Sequence, residues 1–435
     1  MISRTAPIAG ALVATLIASP VQAQTSVLDA IAKGRPVIDL RARFENVQDS
    51  SKLPDANVST LRARLGYETA GWNGLSLQAD FDQIWTIGGA AYNSTRNGKT
   101  SYPVVADPAM TALNRLQLTY AAEFDTKLIL GRQRLVIGNQ RFVGNVGWRQ
   151  HEQTFDALSA VNTSLAGLTL SYAYLYRVNR IGGPALPVPA NATAAAAGQA
   201  AYFKSNSHVM DAVYARIPGL RLEGYAFLLD LSAPGYATLP AQQLATARLS
   251  TATIGGRGDY GFALPHEVTA KISAEFAHQS DYAANPLSIS LNYWLGEGSL
   301  TWKGLSGLVG YEVLEGNGTI GFSTPLATLH AFNGWADMFL TTPVNGLKDL
   351  YLKGSYSLPG DFVAAKSLNL AIAWHDYHTD ALSQAIGSEW NLQAELMMDA
   401  NLSFLAKYAS YGGAGVSAGG FPDKSVLWMQ TAYKY

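Results

Sequence analysis

Cysteine is absent from all 435 residues, which excludes a disulfide framework, a thiolate metal cage, a cysteine nucleophile and a lipobox. Charge is scarce: Asp, Glu, Lys and Arg make up 14% of the chain, against roughly 25% in an average soluble domain. The signs nearly cancel, with 31 Lys+Arg against 32 Asp+Glu, so a strongly basic nucleic-acid binder is excluded. No window past the N-terminal segment approaches the ~18 consecutive apolar residues of a membrane helix. What the chain does hold is 48% hydrophobic residues, 22 tyrosines, 9 tryptophans and 41 glycines. That content excludes disorder.

A short apolar stretch opens the chain. Arg4 gives it a positive end, Ala6 to Ser19 is apolar or small, and Val21-Gln22-Ala23 has the form of an export cleavage site. The stretch is shorter than the ~20 residues that span a bilayer. Residues 1–23 are therefore predicted to be a signal peptide, and residues 24–435 a single exported domain. The low-complexity tract Gly182 to Ala201 reads as an outer loop.

Alternation with period two recurs along the rest. Leu61, Ala63, Leu65 and Tyr67 share one face of a strand, and Thr60, Arg62, Arg64 and Glu68 the other. Eighteen strands are predicted, near 37–46, 58–70, 74–86, 113–123, 127–137, 153–163, 167–178, 207–217, 220–230, 248–261, 267–278, 288–302, 305–315, 349–358, 367–377, 389–398, 401–411 and 425–434. A soluble sandwich would show the same alternation, so the connections decide. Turns such as Gly71-Trp72-Asn73 and Lys303-Gly304 alternate with long gaps such as 87–112, 138–152 and 316–348. Short turns on one side and long loops on the other are what an outer-membrane barrel needs, and closure leaves no edge unpaired in lipid. The fold class is all-β, a transmembrane antiparallel barrel with periplasmic turns and extracellular loops. Tyr and Trp near the strand ends (Tyr67, Trp85, Tyr120, Trp302, Trp390) and the terminal Trp428, Tyr433 and Tyr435 fit aromatic girdles. Lipid and lipopolysaccharide are the expected surroundings, and a monomer the expected state.

Catalytic and metal signatures are weak. His375 and His378 stand three apart on a strand and face opposite sides, and the other histidines lack ligand spacing. No enzyme activity, metal or cofactor is expected; an outer-membrane enzyme or an adhesin using the long loops is a separate class that assay would detect.

Arginine placement is more telling. Residues 35–180 carry 16 Lys+Arg and 12 Asp+Glu (16 − 12 = +4), and residues 181–435 carry 13 and 19 (13 − 19 = −6). Arg41/Arg43, Arg62/Arg64 and Arg132/Arg134 are each spaced by two and so share a face. Opposite the first two pairs lie Leu40, Ala42, Phe44, Leu61, Ala63 and Leu65, which directs those arginines into the lumen, since a lipid-facing Arg at mid-depth costs roughly 2–4 kcal/mol. There they would attract anions, or else brace the wall against Asp39, Glu45, Glu68, Asp80 and Asp82. Gaps 138–152 and 316–348 carry Trp148 and Trp335, unusual for solvated loops, and at least one is expected to fold inward.

Two blocks carry a family resemblance. One runs from Gly131-Arg132-Gln133-Arg134-Leu135 through Gly144-Asn145-Val146-Gly147-Trp148-Arg149-Gln150 to Gln153-Thr154-Phe155-Asp156-Ala157. The other is Phe332-Asn333-Gly334-Trp335-Ala336-Asp337-Met338-Phe339-Leu340, leading into Gly346-Leu347-Lys348-Asp349-Leu350-Tyr351. Both resemble the alginate-export family of outer-membrane porins. The resemblance implies an eighteen-stranded barrel whose arginine-lined pore passes an anionic uronate polymer or oligomer, with Arg132, Arg134 and Arg149 as pore-lining residues. A channel for such a substrate or for other small acids is the leading expectation, and a non-selective diffusion porin for small nutrients the alternative.

Overall fold

A computed structural model describes residues 26–184, 201–233, 240–360, 365–415 and 421–435. The predicted signal peptide and most of the Gly182–Ala201 tract lie outside the described residues. After a short helix, Val27–Ala32, eighteen strands follow in antiparallel order. The first nine are β1 (Arg35–Asp49), β2 (Ala56–Glu68), β3 (Leu75–Ala91), β4 (Met110–Ala122), β5 (Thr126–Gln133), β6 (Thr154–Asn162), β7 (Leu168–Asn179), β8 (Tyr202–Tyr214) and β9 (Leu220–Leu229, resuming as Leu231–Ser232). The rest are β10 (Thr251–Leu264), β11 (Val268–Asp281), β12 (Ser290–Trp302), β13 (Leu305–Leu314), β14 (Leu347–Pro359), β15 (Ser367–His378), β16 (Ala385–Met397), β17 (Leu402–Gly413) and β18 (Lys424–Lys434). Each strand pairs with its neighbours in sequence, and β1 pairs with both β2 and β18, so the sheet closes on itself and has no edge.

The polarity is inside out. Leu65, Phe81, Leu130, Ile254, Ile272, Trp294, Leu352 and Met429 are exposed on the outer wall, while Arg62, Arg64, Asp80, Asp82, Glu312 and Asp349 are buried within. So large an exposed apolar surface suits hydrocarbon and not water. Asn73-Gly74 and Lys303-Gly304 both have positive φ at two successive residues (46° and 81°; 45° and 85°), which matches the twist of tight hairpins. This is the architecture of a bacterial outer-membrane protein, and it places the chain in that membrane.

The strand order agrees with the sequence reading, and the boundaries differ by up to five residues. β5 stops at Gln133 and not at 137, after Gly131 takes φ +117° and breaks the pleat. β8 begins at Tyr202, five residues early, which shortens the preceding loop. The segments 134–153 and 315–346 do not project from the rim. Both fold into the barrel.

Candidate functional site

The two inward segments are joined to each other. Val143 and Leu326 form a parallel bridge. The Gly144 amide donates to the Leu326 carbonyl (2.8 Å), and the Thr328 amide to that of Gln140 (3.1 Å). The Gln153 side-chain amide donates to the carbonyls of Gly144 (2.9 Å) and Leu326 (3.1 Å). A Cβ on Gly144 would overlap the Thr328 hydroxyl, so this close approach requires glycine. Apolar contacts seat both segments on the wall. Phe142 packs against Tyr225, Phe227 and Tyr293 at ring distances of 5.2, 5.8 and 5.4 Å, and Phe339 against Tyr377 at 4.6 Å.

On the side of β1 to β5 the ties are arginines. Arg41 donates to the carbonyls of Gly147, Trp148 and Arg149, each at 3.1 Å. Arg43 holds Gln430 (2.7 Å) and stacks on Trp148, its guanidinium carbon 4.1 Å from the ring centre. Arg62 binds Asp39 and the Gln150 carbonyl. Arg64 makes a two-pronged bond to Asp82 (2.6 and 2.9 Å) and reaches Glu152 at 2.7 Å. Arg134 also clasps Glu152 through both oxygens, each at 2.7 Å. Burial alone would raise the Glu152 pKa; Arg64 and Arg134 outweigh it and hold the carboxyl well below the usual range. Arg149 pairs with Glu45 (3.4 Å) and Asp337 (3.1 Å). Burial disfavours its charge, but Glu45, Asp107 and Asp337 overcome that and raise its pKa above the ordinary value.

Across the ring the wall is acidic. Arg257 is ringed by Asp259, Glu275 and Glu297 at 3.0–3.1 Å. Tyr225, Tyr293 and Tyr351 donate to Glu275 (2.8 Å), Glu312 (2.7 Å) and Glu297 (2.8 Å). Here the inward segments supply the cation and the amide: Arg141 pairs with Glu312 at 2.8 Å, and Asn333 donates to Glu312 (2.6 Å) and Asp349 (3.0 Å). No group of three or more His, Asp or Glu among the described residues is arranged to hold a metal ion.

Arg41, Arg43, Arg62, Arg64, Arg134 and Arg149 thus gather around one end of the inward segments, as parity led one to expect for the first four. Arg132 does not join them. It stands opposite Leu116 and Asp156 in register, in the same row as the exposed Leu130, and binds Asp156 (2.7 Å) and the Leu113 carbonyl (3.2 Å). The spacing rule failed for Arg132/Arg134 because the strand ends between them. Sequence reasoning missed Glu152, Arg141 and Lys407. The signal for Lys407 was available: it alternates with outward Phe404, Ala406 and Tyr408 in a predicted strand and so points inward. Glu152 and Arg141 lie in loops, where parity says nothing.

No protein-family model matches the chain, and no curated protein does. Solved structures share its fold over nearly its whole length. OccAB4 of Acinetobacter baumannii superposes with a TM-score of 0.68 at 13% identity, covering 96% of this chain and 100% of that one. OpdK of Pseudomonas aeruginosa, solved with vanillate, gives 0.67 at 12% identity, covering 93% and 99%. The outer membrane protein OprD of the same organism gives 0.63 at 14%, covering 92% and 94%. At these identities the likeness is one of fold. It corrects the resemblance to the alginate-export family: the neighbours are porins of the Occ and OprD group, and alginate export is withdrawn. The physical reason is visible in the two blocks. Arg134 and Asn145 hold Glu152 within segment 134–153, Arg149 joins Asp337 of the other segment, and Asn333 binds the wall at Glu312, so the blocks record how the inward segments are built and seated and carry no information on cargo.

Proposed function

We propose that the protein is a passive outer-membrane channel for small polar nutrients that bear a carboxylate. The observation that carries this reading is the lumen itself. Two segments tied to each other cross it, between a row of arginines and a row of carboxylates. A charged polymer has little room there, whereas a small solute meets opposite charges on two sides and is turned in the field between them. Arg134 is the group offered to the solute, because its side chain keeps 36% of its exposure while its guanidinium stays fixed on Glu152. Arg41, Arg43, Arg62, Arg64 and Arg149 set the position of the inward segments and contribute the field at longer range. Arg132 falls outside the pore-lining set on this reading. OpdK was solved with vanillate, a small aromatic carboxylate, which supports cargo of this size. The working unit is a monomer in lipid and lipopolysaccharide.

The test is swelling of proteoliposomes in small solutes of matched size. Monocarboxylates should enter faster than their neutral amides, and oligouronates should be excluded. Equal rates for acid and amide would reduce the protein to a non-selective diffusion porin, and no swelling in any solute would remove the channel reading.

A further inference from the structure

A lysine sits at mid-depth inside the barrel. Lys407 lies at the centre of β17 and is 5% exposed. An ammonium so deeply buried is costly unless it is held by specific partners. Its hydrogen-bond partner is His330, through Nε2 at 2.8 Å. Its other contacts are indole faces: Nζ lies 3.7 Å from the ring centre of Trp335, 4.3 Å from that of Trp148 and 5.6 Å from that of Trp428. The rings also pack on one another. Trp148 stacks flat on His330 (4.5 Å, 5°) and meets Trp428 edge-on at 5.6 Å.

The origin of these partners matters. His330 and Trp335 belong to segment 315–346, Trp148 to segment 134–153, and Trp428 to the wall. One wall cation therefore touches both inward segments. The chain continues beyond it: His330 Nδ1 meets Asp337 (2.8 Å), Asp337 accepts from Arg149 (3.1 Å), and Arg149 reaches Glu45 on β1. Lys407, His330, Asp337, Arg149 and Glu45 form a continuous tie from β17 through both segments to β1.

We propose that Lys407 is a latch, a positioning residue whose ammonium holds Trp148 and Trp335 together and thereby sets the width of the passage. The proposal rests on the channel reading for its consequence, but the latch itself is a statement about two segments and one cation. Cation–π contacts strengthen when water is excluded, and a methylene chain without the charge would fill the same volume and lose them. The remaining ties, such as the Ser323 amide on the Gln279 side chain (2.8 Å), would keep the segment attached while the stretch around Trp335 and Ala336 loosens.

The absence of native cysteine allows a direct test. Ala336 is fully buried beside Trp335, so an Ala336→Cys variant reports on release through its rate of reaction with a water-soluble maleimide. Adding Lys407→Met should speed labelling roughly tenfold, the effect of removing about 1.4 kcal/mol of the cation–π holding energy. Lys407→Arg, which keeps a cation on the rings, should label close to the parent rate. Trp335→Leu removes the nearest ring and leaves the charge, so it should label faster as well, and it serves where Lys407→Met does not fold. Folding is read from heat-modifiable gel migration. A folded Lys407→Met or Trp335→Leu protein that labels at the parent rate overturns the latch. Because labelling needs no permeation, a parent protein silent in the swelling assay would end the channel reading while this experiment still decided the latch.

Discussion

The two sides of the lumen use the same inward segments in opposite senses. At β1 and β2 the wall supplies arginines and segment 134–153 supplies the acid, Glu152, which Arg64 holds. At β12 to β15 the wall supplies carboxylates, and the segments supply Arg141 and Asn333. Glu152 and Arg141 lie in one loop, so its charges are laid out to match the wall that each half meets. The sides also differ in how they are neutralised. The arginine side is cross-linked by ion pairs that share partners, with Glu152 serving Arg64, Arg134, Asn114 and Asn145. The acidic side adds neutral donors to its cations, the hydroxyls of Tyr225, Tyr293 and Tyr351. A shared ionic partner fails all at once when it is removed, whereas hydroxyl donors fail one by one.

That contrast is broken most sharply by replacing one carboxylate on each side. Glu152→Gln takes the shared carboxylate from four donors at once; Arg64 keeps Asp82 and Arg134 is partly exposed, so the cost is about 3 kcal/mol, the low end for a broken buried pair. Segment 134–153 should leave its seat, and solutes larger than the parent admits should pass in the swelling assay. Glu275→Gln should do less, near ~1–2 kcal/mol, because Arg257 keeps Asp259 and Glu297 and only the Tyr225 bond is exchanged. Equal effects of the two changes would show that the sides are braced alike.

Next in size is a backbone change at the point where segment 315–346 meets β15 and β16. Gly334 has φ +86°, and a Cβ there would overlap Glu389 Oε2 and the Tyr377 hydroxyl. Gly334→Ala therefore meets both a left-handed conformation and a clash, for an expected cost of about 2 kcal/mol or more. The outcome to measure is maleimide labelling at Ala336→Cys, which should rise while the gel-shift barrel persists.

These ties show how far the sequence could be read. Strand count and the direction of Arg41, Arg43, Arg62 and Arg64 follow from period two, and closure from the alternation of short turns with long gaps, both local properties. Pairing does not: Arg64 meets Glu152 across 88 residues, and Arg141 meets Glu312 of the wall only because segment 134–153 turns inward. The tryptophans at 148 and 335 hinted at that turn. Where the alternation breaks, at Gly131, spacing by two no longer held Arg132 and Arg134 to one face, and the pore-lining role of Arg132 rested on the family resemblance alone.

Acid should loosen one end of the structure and spare the other. His330 is buried, and burial and the Lys407 charge depress its pKa from 6.5 to about 3, against the opposing pull of Asp337 and with Arg149 adding to the depression. The seated segment keeps it neutral, able to accept from Lys407; a released segment would return it to its ordinary value. Between those two values the released form binds more protons, so lowering the pH favours release by about 1.4 kcal/mol per unit, beginning below pH ~6.5. Labelling at Ala336→Cys, taken relative to an exposed control cysteine at the same pH to cancel the loss of thiolate, should therefore rise from pH 7 to pH 5. His330→Gln, which can still accept a hydrogen bond but does not titrate, should flatten the response. A response that persists in His330→Gln would assign it to other groups.

The smallest effect concerns the group nearest the solute. Arg134 is held by Glu152 but is partly exposed, so water screens it, and an ion pair of this kind is worth ~0–1 kcal/mol. Arg134→Gln should thus leave the seat of the inward segments intact, with labelling at Ala336→Cys unchanged. Its effect should appear only in selectivity. The ratio of monocarboxylate to amide entry should fall by a few-fold at low salt, and the difference from the parent should shrink as the Debye length contracts from about 10 Å at 0.1 M towards ~3 Å at 1 M. The same substitution at Arg64, fully buried and tied to Asp82 as well as Glu152, should do the reverse and disturb labelling before selectivity. If Arg134→Gln leaves the acid-to-amide ratio untouched at every salt concentration, the arginine side acts solely as a brace, and any preference for carboxylates must arise elsewhere in the passage.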